Sequence, residues 1–373
     1  MEQQILKSSD DFQALLDYLQ QKQIRKLFLV CDQSIKLLPL DHFFTMLPEK
    51  YQIQVERFSD FHPNPLYESV VAGVEAFRRF QGELIVAVGG GSAMDVAKCI
   101  KLYSNMDPSK NYLEQEIIPN EIPFLAIPTT AGTGSEATRY AVIYYQGNKQ
   151  SINHVSCIPS AVLFAPSLLK TLPEYQKKAT MMDALCHSIE SGWSVNSTDQ
   201  SMEYSLKAIR NIIANMEPYL NGDEQAAAAM LSAANLAGKA IDITQTTAGH
   251  AMSYKLTSLY GLAHGHSAVL CLPHLWRYMI GHMELCVDGR GADYVKGEFQ
   301  KLAEAMGCSS GEEAADYISD LLRKLRLGSP SSWTQEELDL LSKSVNPVRL
   351  KNNPVALTEE ALRELYQHIL AGN

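Results

Sequence analysis

The chain has 373 residues, 46% of them hydrophobic, and a net charge of -10 from 32 basic and 42 acidic residues. This length favours two domains, and no basic run could follow a phosphate backbone, so we expect no nucleic-acid partner. The sequence shows neither a basic-then-apolar signal segment at its start nor a run of about 18 apolar residues. We therefore expect a cytoplasmic protein without a membrane partner.

The first part of the sequence alternates short apolar runs with helical patterns. Continuous apolar runs at Lys26–Cys31, 84–88 and Phe124–Pro128 indicate buried parallel strands. A hairpin is predicted from Tyr140–Tyr145 to 149–152. This order of elements is typical of an α/β nucleotide-binding domain.

Long helical patterns replace the strand-like runs after Leu172-Pro173. They include residues 201–216, the alanine-rich 224–241 and the final 358–370. We place the boundary near Thr171, so the sequence predicts an α/β domain over 1–171 and an all-α domain over 172–373.

Two loops that follow predicted strands have the composition of nucleotide-binding loops. Gly89-Gly90-Gly91-Ser92 would bring the backbone close to a pyrophosphate, with Ser92 capping the next helix. The loop 128–138 is rich in hydroxyl groups and glycines. Either loop alone could be a tight turn, but two such loops at strand ends favour a nucleotide.

Asp32 follows the first of these strands, where the adenosine ribose is expected. A carboxylate there accepts a hydrogen bond from the 2′-hydroxyl group and repels a 2′-phosphate, which predicts NAD(H) rather than NADP(H). The alternative is that Asp32 is a turn residue before Gln33-Ser34.

An aspartate and three histidines form a candidate metal site. Asp183 and His187 lie four residues apart, on one face of a predicted helix, and His250 and His264 follow in a histidine-rich segment. One carboxylate with three imidazoles suits Fe²⁺ or Zn²⁺ better than Ca²⁺ or Mg²⁺. His266, two residues further on, is either a proton relay or partner of this site or a structural residue.

These segments, in this order, resemble the iron-containing, or group III, alcohol dehydrogenase family over about residues 28–368. The resemblance rests on the two loops, on Asp183-Ala184-Leu185-Cys186-His187-Ser188-Ile189-Glu190, and on His250 with His264-Gly265. It implies a Rossmann-like dinucleotide-binding domain followed by an all-α catalytic domain, an architecture shared with dehydroquinate synthase.

The resemblance also implies roles for individual residues. Asp183, His187, His250 and His264 would hold the metal. Tyr254 stands where the family commonly has a histidine implicated in proton relay, so we expect Tyr254 either to pass a proton or to shape the pocket. The residues implied along the cofactor are Asn64, Gly90, Gly91, Ser92, Thr129, Thr130, Thr138 and Lys149.

The activity implied is interconversion of a primary alcohol and an aldehyde with NAD(P)(H). A subset acting on phosphonoacetaldehyde is similar in residues 61–68, 138–142 and 263–266, and succinic semialdehyde reductases and general alcohol dehydrogenases are the alternatives. A dehydroquinate-synthase-like lyase is a rival, although it would use a glutamate ligand and a more basic pocket. A nucleotide-sensing metal protein is the non-catalytic alternative, and a homodimer is the candidate assembly.

Arg139 is the predicted anion-binding residue, because it follows the second loop at the start of the hairpin. Its guanidinium could hold a phosphonate or carboxylate through two parallel hydrogen bonds. The alternative is an ion pair with Glu136 on the hairpin surface.

Overall fold

The computed structural model describes residues 3–8 and 11–372. The chain divides into two compact units, of which the first ends at Leu172 and the second begins at Pro173. Among the residues described, no helix combines the length and the apolar character needed to cross a membrane.

The N-terminal unit is built on a parallel sheet with the strand order β1-β8-β5-β4-β2-β3. Strands β6 and β7 form a separate antiparallel hairpin. The strands are β1 Gln4–Lys7, β2 Lys26–Cys31, β3 Gln54–Phe58, β4 Leu84–Gly89, β5 Phe124–Pro128, β6 Tyr140–Tyr145, β7 Asn148–Asn153 and β8 Ala161–Phe164. The α-helices of this unit are α1 Gln13–Gln21, α2 Pro39–Tyr51, α3 Tyr67–Phe80 and α4 Gly91–Tyr103.

The three apolar runs and the hairpin are therefore confirmed. The central strands are buried on both faces, which explains why they are continuously apolar rather than alternating. Leu29 pairs with Val86, Val86 pairs with Leu125, and all three belong to a core that also contains Leu15 of α1 and Phe44 of α2.

The strand order reverses next to β2. The chain passes from β2 to its neighbour β3 and then crosses to β4 on the other side of β2. In an open parallel sheet, the carboxyl ends of the strands at such a reversal form the usual ligand crevice. Asp32 directly follows the carboxyl end of β2, and the Gly89 loop begins at the carboxyl end of β4.

The C-terminal unit is helical in the part of the chain that the structure describes, as predicted. The helical patterns 201–216 and 224–241 lie within α6 and α7, and Thr358 caps the last helix instead of belonging to it. The helices are α5 Glu174–Trp193, α6 Asp199–Leu220, α7 Glu224–Thr244, α8 Ala248–Tyr260, α9 His264–Gly281, α10 Ala292–Ala305, α11 Gly311–Leu325, α12 Gln335–Ser344, α13 Pro347–Leu350 and α14 Glu359–Ala371.

Candidate functional site

Three imidazole nitrogens converge on one carboxylate oxygen in the C-terminal unit. Oδ1 of Asp183 lies 3.4 Å from Nε2 of His250 and 3.9 Å from Nε2 of both His187 and His264. The ligand atoms of a tetrahedral ion with bonds of about 2.1 Å stand roughly 3.4 Å apart. The separations from Asp183 and the donor types fit Fe²⁺ or Zn²⁺, and the ligand atoms of Asp183, His187 and His250 all lie within 4.8 Å of one another. We call these four residues the Asp183 cluster.

Close helix packing brings the Asp183 cluster together. Asp183 and His187 lie one turn apart on α5, His250 lies in the first turn of α8, and His264 is the first residue of α9. Gly265 permits the contact between α9 and α5, because a Cβ atom there would lie 2.1 Å from the carbonyl oxygen of Ala179. A side chain at this position would displace His264.

Glu190 orients His250. Its Oε1 lies 2.5 Å from Nδ1 of His250, while its Oε2 accepts hydrogen bonds from the backbone N–H (2.7 Å) and the hydroxyl group (2.6 Å) of Thr247. Since the carboxylate can only accept, Nδ1 carries the proton and Nε2 is directed to Asp183. This role of Glu190 was not predicted from the sequence, although Glu190 follows Asp183 by seven residues on the same helical face.

Burial and neighbouring charges shift the pKa values of Asp183 and His250 in opposite directions. Burial alone would raise the pKa of Asp183, but the neighbouring imidazoles lower that pKa well below its usual range. Burial disfavours the charged form of His250, yet Glu190 and Asp183 raise its pKa to about 9. The metal-free cluster thus favours an imidazolium, whose proton a divalent cation would displace.

The Asp183 cluster is open on one side. The side chains of Asp183, His187 and His250 are 4%, 7% and 2% exposed, whereas that of His264 is 39% exposed. The Tyr254 ring stacks on His264 with a centroid separation of 5.7 Å and an interplanar angle of 7°. Tyr254 therefore lines the open side, and burial raises the pKa of its phenol although Arg349 opposes the shift.

His266 is held away from the cluster. Its Nδ1 lies 3.0 Å from the hydroxyl group of Tyr175, and its Nε2 lies 3.0 Å from the carbonyl oxygen of Gly328. Two helical positions beyond His264, a side chain points to another face of α9. This geometry disfavours the proton-relay role and supports the structural alternative.

The two predicted nucleotide loops are neighbours in the N-terminal unit. The backbone N–H of Thr129 donates to the carbonyl oxygen of Gly89 at 3.1 Å, and Thr130 and Thr133 lie against Gly90 and Gly91. The conformation of Gly89, with φ of 151°, favours glycine.

The prediction that Ser92 caps α4 is wrong. The helix begins at Gly91 with Gly90 as its N-cap, and no side chain caps it, so Ser92 lies in the first turn. The first-turn N–H groups are thereby left for an anion.

Asp32 lies at the strand-order reversal, with one carboxylate oxygen bound to Ser34 and the other near Gly89. Its carboxylate accepts a hydrogen bond from the backbone N–H of Ser34 at 2.7 Å, as the turn alternative requires. Its second oxygen lies 3.8 Å from the position that a Cβ atom on Gly89 would occupy. The turn role and a ribose-binding role are therefore compatible.

The buried side chain of Lys98 supports the second loop, 128–138. This role of Lys98 was not predicted from the sequence. Lys98 of α4 is completely buried, and its Nζ donates to the hydroxyl groups of Ser135 (2.9 Å) and Thr138 (3.1 Å) and to the carbonyl oxygen of Tyr140 (2.7 Å). Asp95, on the same helix, accepts from Ser135 at 3.0 Å. The Thr138 hydroxyl thus has an internal partner.

The two remaining predicted cofactor residues, Asn64 and Lys149, are both connected through the backbone to Tyr144 of the hairpin. The backbone N–H of Tyr144 donates to the carbonyl oxygen of Pro65 at 2.8 Å, next to Asn64, and Tyr144 pairs with Lys149 in the hairpin. Asn64 is exposed and has a left-handed backbone with φ of 59°.

Arg139 directly precedes β6 and is partly buried. Its carbonyl oxygen accepts a hydrogen bond from the backbone N–H of His154 at 3.1 Å. Glu136, three residues before it, is 4% exposed. The anion-binding role and the ion pair with Glu136 both stay open.

Comparison with known proteins covers both units. The family model for the iron-containing alcohol dehydrogenases matches residues 3–166, and the C-terminal model of the Fe-containing alcohol dehydrogenase family matches residues 177–370. The chain is 32% identical over 315 residues to a phosphonoacetaldehyde reductase of Streptomyces viridochromogenes, covering 80% of this chain and 79% of that protein.

Two further similarities differ in extent. The aldehyde-alcohol dehydrogenase of Streptococcus pneumoniae is 28% identical over 87% of this chain, which spans only 40% of that protein. The crystal structure of sulfoacetaldehyde reductase from Bifidobacterium kashiwanohense in complex with NAD⁺ aligns with a TM-score of 0.86 at 26% identity, covering 99% of this chain and 97% of that one.

Proposed function

The chain belongs to the iron-containing alcohol dehydrogenase family, and from this premise we propose that it reduces a small anionic aldehyde to the alcohol with NADH. The resemblance drawn from the sequence motifs is confirmed by the two family matches, and so is the expectation of an oxidoreductase. The single observation that carries the catalytic part of the proposal is the convergence of three imidazoles on Asp183.

We assign the metal to the Asp183 cluster, with Fe²⁺ as the metal of the family and Zn²⁺ as the alternative. When bound, such an ion acts as a Lewis acid toward a carbonyl oxygen. Glu190 holds the proton on Nδ1 of His250 and directs Nε2 of the same ring at Asp183, and Gly265 sets the position of His264. Burial of three of the four side chains excludes water from all but the His264 side.

We assign the dinucleotide to the carboxyl ends of β2, β4 and β5. The N-terminus of α4 would bind the pyrophosphate, and Asp32 would bind the ribose next to the strand-order reversal. Thr129, Thr130 and the hairpin residue Lys149 stay proposed contacts. The bound nicotinamide would supply the hydride.

An anionic substrate is supported by two relatives. The phosphonoacetaldehyde reductase and the sulfoacetaldehyde reductase are named for aldehydes that carry a phosphonate or a sulfonate. Succinic semialdehyde and neutral aldehydes are the alternatives within the family. The lyase alternative is not retained, because both units match the dehydrogenase family and the carboxylate of the cluster is an aspartate.

An aldehyde comparison with NADH tests this proposal. Metal-depleted protein, and protein reloaded with Fe²⁺ or Zn²⁺, would be assayed with phosphonoacetaldehyde, succinic semialdehyde and butanal. We expect turnover only with metal, and a kcat/KM for an anionic aldehyde at least about tenfold above that for butanal, or about 1.4 kcal/mol. Equal or better turnover of butanal would contradict the substrate assignment.

Metal content tests the ligand assignment separately. His264→Ala should lose most bound metal and nearly all activity, because a tetrahedral site loses one of its donors. His274→Ala is the matched control, since His274 stacks on His368 outside the cluster. A His264→Ala protein that is fully active without metal would overturn the assignment.

A further inference from the structure

Arg349 contacts Tyr254, the residue that stacks on the exposed ligand His264, and we infer that Arg349 binds the anionic group of the aldehyde. This inference rests on the proposed function and assigns its substrate preference to one side chain. Every residue that carries it belongs to the C-terminal unit.

Two ring contacts connect Arg349 to the cluster. The guanidinium carbon lies 5.5 Å from the centroid of the Tyr254 ring, and the Tyr254 ring stacks on His264 at 5.7 Å. Because the other three side chains are at least 93% buried, an aldehyde can approach Asp183 only past His264. The end of the substrate opposite its carbonyl group then lies on the side where Tyr254 and Arg349 are found.

The charge of Arg349 is available for a ligand. Four other arginines of this unit form ion pairs with aspartates: Arg277, Arg290, Arg323 and Arg363. Within the described ranges, by contrast, no carboxylate lies within the 4.0 Å ion-pair distance of Arg349. Its cation–π contact with Tyr254 leaves the planar N–H donors free to hold two oxygens of a phosphonate, sulfonate or carboxylate.

The segment that carries Arg349 is held in place. The side-chain amide of Asn352 donates to the carbonyl oxygen of Thr246 at 3.1 Å, and the Asn352 carbonyl oxygen accepts from the backbone N–H of Val195 at 3.1 Å. Asn353 is completely buried and donates to the carbonyl oxygen of Val355 at 2.7 Å. Arg349 is thereby positioned beside Tyr254 of α8, so little conformational entropy is lost when an anion binds.

The test is the ratio of kcat/KM for phosphonoacetaldehyde to that for butanal, measured with NADH on the metal-loaded enzyme. Arg349→Met should lower this ratio about 100-fold, mainly through KM for the anionic aldehyde, because two charge-assisted hydrogen bonds are lost. Arg349→Lys should keep part of the preference, since it keeps the charge without the planar pair of donors. Arg210→Met, at an exposed position of α6, is the matched control and should keep the ratio.

Inhibition by methylphosphonate tests the same contact with an anion that does not itself react. We expect competition with the aldehyde in the wild type and a Ki at least tenfold higher in Arg349→Met. A purely structural contact with Tyr254 would instead lower the rates with both aldehydes equally, and that result would overturn the inference. If the wild type and Arg349→Met both favour phosphonoacetaldehyde to the same degree, only the assignment to Arg349 fails. If the wild type favours butanal, the proposed function fails as well.

Discussion

Nδ1 of His250 lies 2.5 Å from Oε1 of Glu190, and this contact directs the opposite nitrogen of the same ring at Asp183. The carboxylate is completely buried, and the backbone N–H and hydroxyl group of Thr247 bind its other oxygen. One residue that is not a ligand thus determines the tautomer and orientation of a ligand. The same geometry explains Gly249, since a Cβ atom there would lie 2.7 Å from Oε1 of Glu190.

Glu190→Gln should lower the metal affinity roughly 10-fold to 100-fold, because such outer carboxylates orient a ligand histidine and raise its basicity. The measurement is competition with a chelator, followed by metal analysis. Glu298→Gln is the control, since Glu298 is a buried carboxylate of the same unit that pairs with Lys301 at 2.8 Å. Equal metal affinity in the Glu190→Gln protein and the wild type would contradict the role.

Lys98→Met should destabilise the N-terminal unit by about 3 kcal/mol or more, because it leaves buried acceptors and Asp95 without their cation. Chemical denaturation measures the loss, and the KM for NADH should rise because the Ser135–Thr138 segment loses its support. Lys101→Met is the comparison on the same helix, where Nζ makes one long contact of 3.4 Å. A Lys98→Met protein as stable as Lys101→Met would refute this account.

Asp32→Ala should reduce the preference for NADH over NADPH, because the carboxylate that repels a 2′-phosphate is removed. The ratio of kcat/KM values for the two cofactors, on one aldehyde, is the measurement. Its Ser34 contact is only a turn hydrogen bond, so the fold should persist. A wild type that uses NADPH as well as NADH would show that Asp32 acts only in the turn.

Tyr254→Phe distinguishes proton transfer from pocket shaping. Burial raises the pKa of Tyr254, so the phenol stays neutral at pH 7 and is a weak relay. We therefore expect Tyr254→Phe to keep the rate within a few-fold and to keep the pH profile of kcat. Loss of the alkaline limb of that profile, together with a large fall in kcat, would instead assign the relay to Tyr254.

Arg139→Met tests the anion-binding residue predicted from the sequence. Under that prediction kcat/KM should fall severely for phosphonoacetaldehyde and hardly for butanal. Equal losses with the two aldehydes would favour the alternative pairing with Glu136, which Glu136→Gln should then reproduce. Assayed beside Arg349→Met, this variant shows which arginine determines the charge preference.

The sequence by itself determined the family, the central strands and hairpin of the first unit, the helical character of the second and the candidate ligands. These features depend on patterns that are local in the chain: continuous apolar runs for strands buried on both faces, glycine loops at strand ends, and an aspartate and a histidine one helical turn apart. Such patterns identified Asp183 and His187 as neighbours before any tertiary contact was known.

Only the tertiary structure decided which side chains support the site. Glu190 meets His250 across 60 residues of sequence, Lys98 reaches Thr138 across 40, and Arg349 contacts Tyr254 from a four-residue helix. These contacts depend on how segments distant in the sequence pack together, and packing distances are not encoded in the spacing along the chain. For the same reason His266, beside a candidate ligand in sequence, faces Tyr175 and Gly328 instead of the cluster.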